Sequence, residues 1–251
     1  MKKILLVFAA LALSAPAFAQ DIDLEELGDF NTIDLTWEGS RVETDLSFAF
    51  PMYFGWSTLA DANAKGPWML LNTPIPGSTF DTHKNFVYGL QLADMQIHYK
   101  HINVSVGLRW TFMDFAFANP GETFSKQYVN ATWPDAWMPH AIVNDLPAYN
   151  GKKSKIHANY FGIPFRAGLQ FGSSKVYVGA SIEMLTGGYT KYKQPKNRIT
   201  AKDLFNPIRA TVEGGFSYGG LGVFVSYGLT PLFQESLSDA KTLTFGLLLG
   251  L

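Results

Sequence analysis

Between Ile102 and Phe112 the chain alternates without a lapse. Ile102, Val104, Val106, Leu108, Trp110 and Phe112 are apolar, and Asn103, Ser105, Gly107, Arg109 and Thr111 stand between them. A period of two puts the apolar set on one face of a strand and the other set on the opposite face. The second face constrains the fold. A soluble sandwich or lipocalin turns its apolar face inward and covers its outside with charge. Here the face opposite the apolar one is mainly small and polar, with few ionisable residues. That suits the side-chain-filled lumen of a narrow barrel whose apolar face meets lipid.

Seven further segments repeat the signature. Residues 44–56 carry Leu46, Phe48, Phe50, Met52 and Phe54 on one face. Residues 85–99 carry Phe86, Tyr88, Leu90 and Leu92, then slip at Ala93-Asp94 and continue with Met95, Ile97 and Tyr99, which predicts a β-bulge. Residues 159–171, 175–185, 208–218 and 221–229 follow the same rule. The last segment sets Leu243, Phe245, Leu247, Leu249 and Leu251 against Thr242, Thr244, Gly246, Leu248 and Gly250. The expected fold is all-β: an eight-stranded antiparallel up-and-down transmembrane β-barrel. Its connections sort into two kinds. Lys100-His101, Gly172-Ser173-Ser174 and Gly219-Gly220 are hairpin-length, whereas 55–85, 118–155, 190–207 and 231–240 are long. Short periplasmic turns alternating with long extracellular loops are the pattern of an outer-membrane barrel, with both chain ends periplasmic.

The start of the chain agrees. "MKKILLVFAALALSAPAFAQ" has two lysines, an apolar run and small residues at Ala17 and Ala19, so residues 1–19 read as a signal peptide. Residues 20–40 form an acidic periplasmic segment, its stretch from Asp21 to Asp29 a solvated tail, and 41–251 form the barrel. Aromatics make up 15% of the chain and charged residues 16%, below the usual quarter, yet no later apolar run reaches the length of a membrane helix. Losing Lys2 and Lys3 takes 20 basic residues to 18 against 21 acidic ones, which argues against nucleic acid as a partner. With no cysteine there are no disulfides and no thiol chemistry. His, Asp and Glu show no paired metal spacing, and no cofactor is expected.

"FGIPFRAGLQFGSSKVYVGASIE" resembles the Ile-Pro strand, short turn and following strand of Bacteroidetes-type outer-membrane β-barrel domain proteins, the PorT-like group, and "SYGLTPL" is similar to that group's penultimate strand. The architecture is that of small OmpX/OmpA-like barrels. The resemblance implies location and fold but no catalytic residues. Pro51 and Pro164 fit it, and each predicts a local bulge, since proline removes a ladder hydrogen bond. "TFGLLLGL" resembles the C-terminal signal read by the outer-membrane assembly machinery, except that Leu251 stands where an aromatic residue is usual.

Four charges fall on inward faces: Arg109, Arg166, Glu183 and Glu213. Counting back from the 172–174 turn sets Arg166 opposite Ser181 and diagonal to Glu183. In a narrow lumen such charges must pair, because an unpaired one costs several kcal/mol. They form a packed interior network, a gate or proton path being the alternative. A second set is basic. Lys152, Lys153 and Lys155 end the second long loop, and Lys191, Lys193, Lys196, Arg198 and Lys202 occupy the third, without an intervening acid in either run. The short hairpin between the flanking strands makes their outer ends neighbours, so lipopolysaccharide phosphate is the expected contact. A third set, Tyr128, Trp133, Trp137, Met138 and Tyr149, gives the 118–154 loop a partly apolar surface for a ligand or protein partner. Among the histidines (His83, His98, His101, His140, His157) none forms a His-x-Ser pair on one strand face, so the chain is expected not to be an enzyme. The expected role is a non-enzymatic outer-membrane protein that binds at the surface or supports the envelope. The alternatives are an accessory of a secretion or envelope complex and, third, a lipid A-modifying enzyme.

Overall fold

The computed structural model describes residues 32–37, 40–47, 51–60, 84–127, 136–141, 153–192, 197–234 and 238–250. The strands are β1 (Thr32–Trp37), β2 (Ser40–Ser47), β3 (Met52–Ala60), β4 (Phe86–Tyr99), β5 (Ile102–Ala116), β6 (Glu122–Gln127), β7 (Ala136–Ala141), β8 (Ser154–Phe171), β9 (Ser174–Tyr192), β10 (Asn197–Thr200), β11 (Ile208–Tyr218), β12 (Leu221–Gly228) and β13 (Lys241–Leu249). Eight of them (β3, β4, β5, β8, β9, β11, β12 and β13) pair in an antiparallel ring, and β13 closes on β3 from Lys241↔Ala60 to Leu249↔Met52. Closure leaves no open edge, which a strand structure in lipid requires. The tightest turn, between β11 and β12, has Gly219 at φ 59° and Gly220 at φ 87°. Two successive positive φ angles make a type I′ turn, and glycine adopts them without a Cβ clash.

β2 continues the line of β3. It pairs Glu43–Ser47 with His98–Asp94 of β4, while β3 pairs Met52–Trp56 with Leu90–Phe86 of the same strand. β1 folds back on β2, so part of the expected acidic segment is a strand, and β2 begins at Ser40. Residues 1–19, expected as a signal peptide, and the stretch from Asp21 to Asp29 lie outside the described residues. The bulge in β4 falls between Gln91 and Ala93, next to the expected slip.

Pro164 makes no bulge. Its register with Ser181 is continuous, and on the other side Val106↔Phe165 and Arg109↔Gly162 keep one register while Gly107 and Leu108 go unpaired. The missing N–H is absorbed as a lapse in the ladder rather than an extra residue. At Pro51 the strand line breaks between β2 and β3, and the Gln91 N–H bridges the break by donating to the Pro51 carbonyl at 2.9 Å.

Part of the third expected loop is strand. β9 runs on to Tyr192, and β10 returns along it from Asn197↔Tyr192 to Thr200↔Tyr189. Within the second loop, β6 and β7 form a separate hairpin. Alternation in these outer segments is weaker in the sequence because the two faces change roles there. Along β8, Phe161, Ile163, Phe165, Ala167, Leu169 and Phe171 point outward, with Gly162, Pro164 and Arg166 inward. Above Phe161 the pattern inverts: Ile156, Ala158 and Tyr160 are buried inside, and Lys155 and Asn159 are on the outward face, with His157 of the same face covered by Asp114 and the Tyr189 ring. β5 does the same, with Asp114 facing out between the fully buried Met113 and Phe115.

The inversion marks the membrane boundary. Below it the outside is apolar, with Val178 and Ile182 each 67% exposed, and the outward runs on β5 and β8 are eleven residues long (102–112 and 161–171). A tilted strand needs about 9–11 residues to cross a bilayer. An aromatic girdle follows the outer edge of this band. Trp56 stacks on Phe245 at 6.0 Å, Phe54 on Phe86 at 5.6 Å, Tyr88 on Phe112 at 5.1 Å, and Trp110 meets Phe161 edge-on at 6.2 Å. Tyr99, Phe171 and Tyr218 are exposed at the other end. Above the girdle the interior is an apolar plug: Leu204 and Phe205 from the 3-10 turn Lys202–Leu204 and the residue after it, Leu232, Phe233, Phe115 and Ile156, each at most 1% exposed.

Candidate functional site

Inside the membrane-spanning part the lumen is packed with charge. Arg109 donates from Nη1 to Glu213 at 2.6 Å, from Nε to Glu183 at 3.1 Å and from Nη2 to Ser181 at 2.7 Å. Arg166 donates from Nε to the other Glu213 oxygen at 2.6 Å and from Nη1 to Gln91 at 2.8 Å. Arg209 donates from Nη1 to Glu183 at 2.8 Å. All five ionised residues are at most 7% exposed.

Arg166 does not lie where the turn count put it. It stands opposite Gly179, and its carboxylate partner is Glu213 on β11, not Glu183. The β8–β9 turn has only Gly172-Ser173 between the paired Phe171 and Ser174, and from that pairing Arg166 meets Gly179, two residues short of the expected Ser181. Arg209 was not among the expected lumen charges. Its alternation with Ile208 and Ala210 puts it on the same inward face, and the register sets it directly across from Glu183.

Hydroxyls and aromatic faces complete the layer. The Thr111 hydroxyl donates to Glu183 at 3.1 Å and lies 2.5 Å from Tyr53 Oη. The rings of Tyr53, Tyr177 and Tyr160 lie under Arg109, Arg166 and Arg209 at 5.5, 5.3 and 5.7 Å. Tyr53 crosses the lumen only because Gly89 faces it: a Cβ at Gly89 would fall 2.0 Å from the ring. Beside the network a cavity of about 20 Å³, lined by Tyr53, Arg109, Glu183 and Arg209 among others, has room for about one water. Paired guanidinium and carboxylate groups fill this level of the lumen, with one water's space beside them.

A second charged group lies on the outside of the outer rim. Lys155 of β8 is in register with Lys191 of β9, and Lys191 with Arg198 of β10, so the three stand in a row across neighbouring strands. Arg198 stacks over the Tyr189 ring at 3.8 Å. Asp114 contacts both Lys155 Nζ and His157 Nδ1. Burial pushes the Asp114 carboxyl up, but these two bonds and their charges outweigh it and hold the group below the usual carboxylate range. Asp114 is the acid that the basic runs lacked in sequence. It comes from β5, which the fold places beside β8.

Of the other expected basic contacts, Lys153 and Lys202 are exposed, and Lys152, Lys193 and Lys196 lie outside the described residues. So do Tyr128, Trp133 and Tyr149. Trp137 and Met138 are on β7, in register with Lys126 and Ser125. His157 has a carboxylate partner but no serine beside it among the described residues: Ser154, close in sequence, faces inward and is 1% exposed.

No family model matches the chain, and no curated protein matches it. Among solved structures the chain is similar to Neisserial surface protein A, at 8% identity and a TM-score of 0.37, over 80% of this chain and 96% of that one. The likeness to PorT-like barrels therefore rests on residues 161–183 and 226–232 alone.

Proposed function

We propose that this chain is a non-enzymatic integral outer-membrane protein, exported by its N-terminal 1–19 leader, which acts through the structures it raises above the outer leaflet. The observation that carries this reading is the inversion of faces along β5, β8 and β9. Within the bilayer the lumen is closed by the Arg–Glu layer, and directly above it by the Phe205–Phe233 plug, whose rings stack at 5.9 Å. A barrel closed twice over offers no path for a solute. What remains available is the outer assembly of β6, β7, β10 and the ends of β8 and β9, where loops on a rigid scaffold carry function. The aromatic 118–154 segment is its surface for a ligand or protein partner.

Reconstitution into planar bilayers, together with protease treatment of intact cells, tests this. The expected result is no conductance above the bare bilayer and surface cleavage within 118–153. A stable ion conductance would make transport the function and overturn the reading. The Ile-Pro hairpin resemblance supports a second reading, an accessory role in a secretion or envelope complex. Co-migration of the native protein with other membrane proteins in mild detergent would favour it.

A further inference from the structure

We propose that Lys155, Lys191 and Arg198 form a site on the lipid-facing outside of the rim for a phosphate of lipopolysaccharide. The inference rests on the outer-membrane placement proposed above and names a partner for that surface.

Three cations directly opposite one another on adjacent strands repel, and such pairs destabilise a sheet unless something neutralises them. The structure supplies part of that. Asp114 takes Lys155, and the Tyr189 ring takes the face of Arg198. Lys191, in the middle of the row, has no hydrogen-bond or ion-pair partner among the described residues. With one carboxylate against three cations the row carries a net positive charge, and the group that would balance it must come from outside the chain.

Height decides which anion. Lys155 pairs Ala116, four residues above Phe112 on β5, the last outward apolar residue of that strand. Four residues at ~3.4 Å each, tilted by about 45°, raise the row ~9–10 Å above the girdle. The headgroup layer is roughly 5–8 Å thick on each side of the hydrocarbon. Lysine and arginine side chains reach several ångströms and extend toward the polar layer that suits them. The row therefore stands at the top of the headgroup layer with its charged ends able to descend into it. Its outward face, continuous with the aromatic girdle below, presents it to a lipid and not to the lumen. Strands ~4.8 Å apart spread the three charges over about 10 Å, wide enough to hold a phosphate from more than one side. The phosphorylated glycolipid of the outer leaflet supplies the matching charge at that depth.

The test uses the full chain purified in detergent and its Lys191→Gln/Arg198→Gln variant, with Lys100→Gln at the opposite rim as control. Each is titrated with bisphosphorylated lipid A, with dephosphorylated lipid A and with phosphatidylglycerol, and binding is read from the rise in the temperature of barrel unfolding on gels. The native chain and the control should bind bisphosphorylated lipid A more tightly than the other two lipids. Loss of two cations at about fivefold each should weaken the double variant by about 30-fold. The Lys191→Arg variant should retain binding. Equal affinity for phosphorylated and dephosphorylated lipid A overturns the proposal, as does a double variant that binds like the native chain. Stronger binding of phosphatidylglycerol assigns the row to a general anionic surface and likewise overturns it. A barrel that fails to insert into any bilayer would instead count against the placement in the outer membrane.

Discussion

Replacing Glu213 by glutamine strikes the lumen layer at its most connected point. Both carboxylate oxygens are used, one by Arg109 and one by Arg166, each at 2.6 Å. Glutamine keeps one acceptor and turns an N–H₂ donor toward the other guanidinium, leaving that charge buried and unpaired. Removing one partner of a buried ion pair costs about 3–5 kcal/mol. Protein flexibility and the nearby space for one water place the expected loss at the lower end, about 3 kcal/mol. Arg109 keeps Glu183, so the stranded cation is Arg166; adding Arg166→Gln removes it and should recover at least about 1 kcal/mol, a coupling that a double-mutant cycle isolates. Urea unfolding from lipid vesicles, followed by the mobility shift of the folded barrel, measures both. A loss below about 1 kcal/mol with no rescue by the second change would mean that water already screens these charges, and the sealed lumen would be wrong.

Three other outcomes follow from the same geometry. Val178→Arg, on the lipid face, should cost about 2–4 kcal/mol, whereas Thr200→Arg, outward but above the girdle, should stay within about 0.5 kcal/mol in the same urea assay. Phe233→Ala should cost about 3–5 kcal/mol of plug stability, read as new protease sites near 201–205 and 232–240 while the membrane barrel stays folded. Because the Asp114 carboxyl is held below its usual range, its bonds to Lys155 and His157 contribute fully above the unfolded value of about 3.9 and are lost as pH falls through the lower folded value. Amide protection at 155–157, taken relative to the intrinsic exchange rate at each pH, should therefore fall as acid protonates Asp114 below the usual carboxylate range, and Asp114→Asn should remove that acid step.

The membrane strands were legible because each carries one complete alternation with a lipid-facing set, as Ile102–Phe112 does, and because hairpin turns leave little freedom in pairing. The outer architecture was harder to read. From Lys155 to Tyr160 the alternation continues, but the buried side becomes Ile156 and Ala158 and the outer side Lys155 and His157. A reader tracking one apolar face sees the strand end where only its surroundings change. Long-range pairing was legible to the level of a face and no further. Arg109, Arg166, Glu183 and Glu213 take their inward places from parity alone, but which carboxylate meets which guanidinium depends on register between strands, and each residue gained or lost in a turn shifts that register by one. Asp114 could not be joined to Lys155 from sequence at all, because residues 117–153, with β6 and β7 among them, separate two strands that lie side by side.

The central claim is that the faces of β8 and β9 exchange roles at the level of Phe161. The chain has no cysteine, so single cysteines carrying a spin label can be placed without removing any native thiol. Labels at 155, 159, 163, 165, 178 and 191, in barrels reconstituted into bilayers, report contact with oxygen dissolved in lipid or with a water-soluble nickel complex. The account predicts lipid contact at 163, 165 and 178 and water contact at 155, 159 and 191, with the crossover between 159 and 163 on one strand. Water contact along the whole outward face of β8, or lipid contact continuing up to 155, would contradict it.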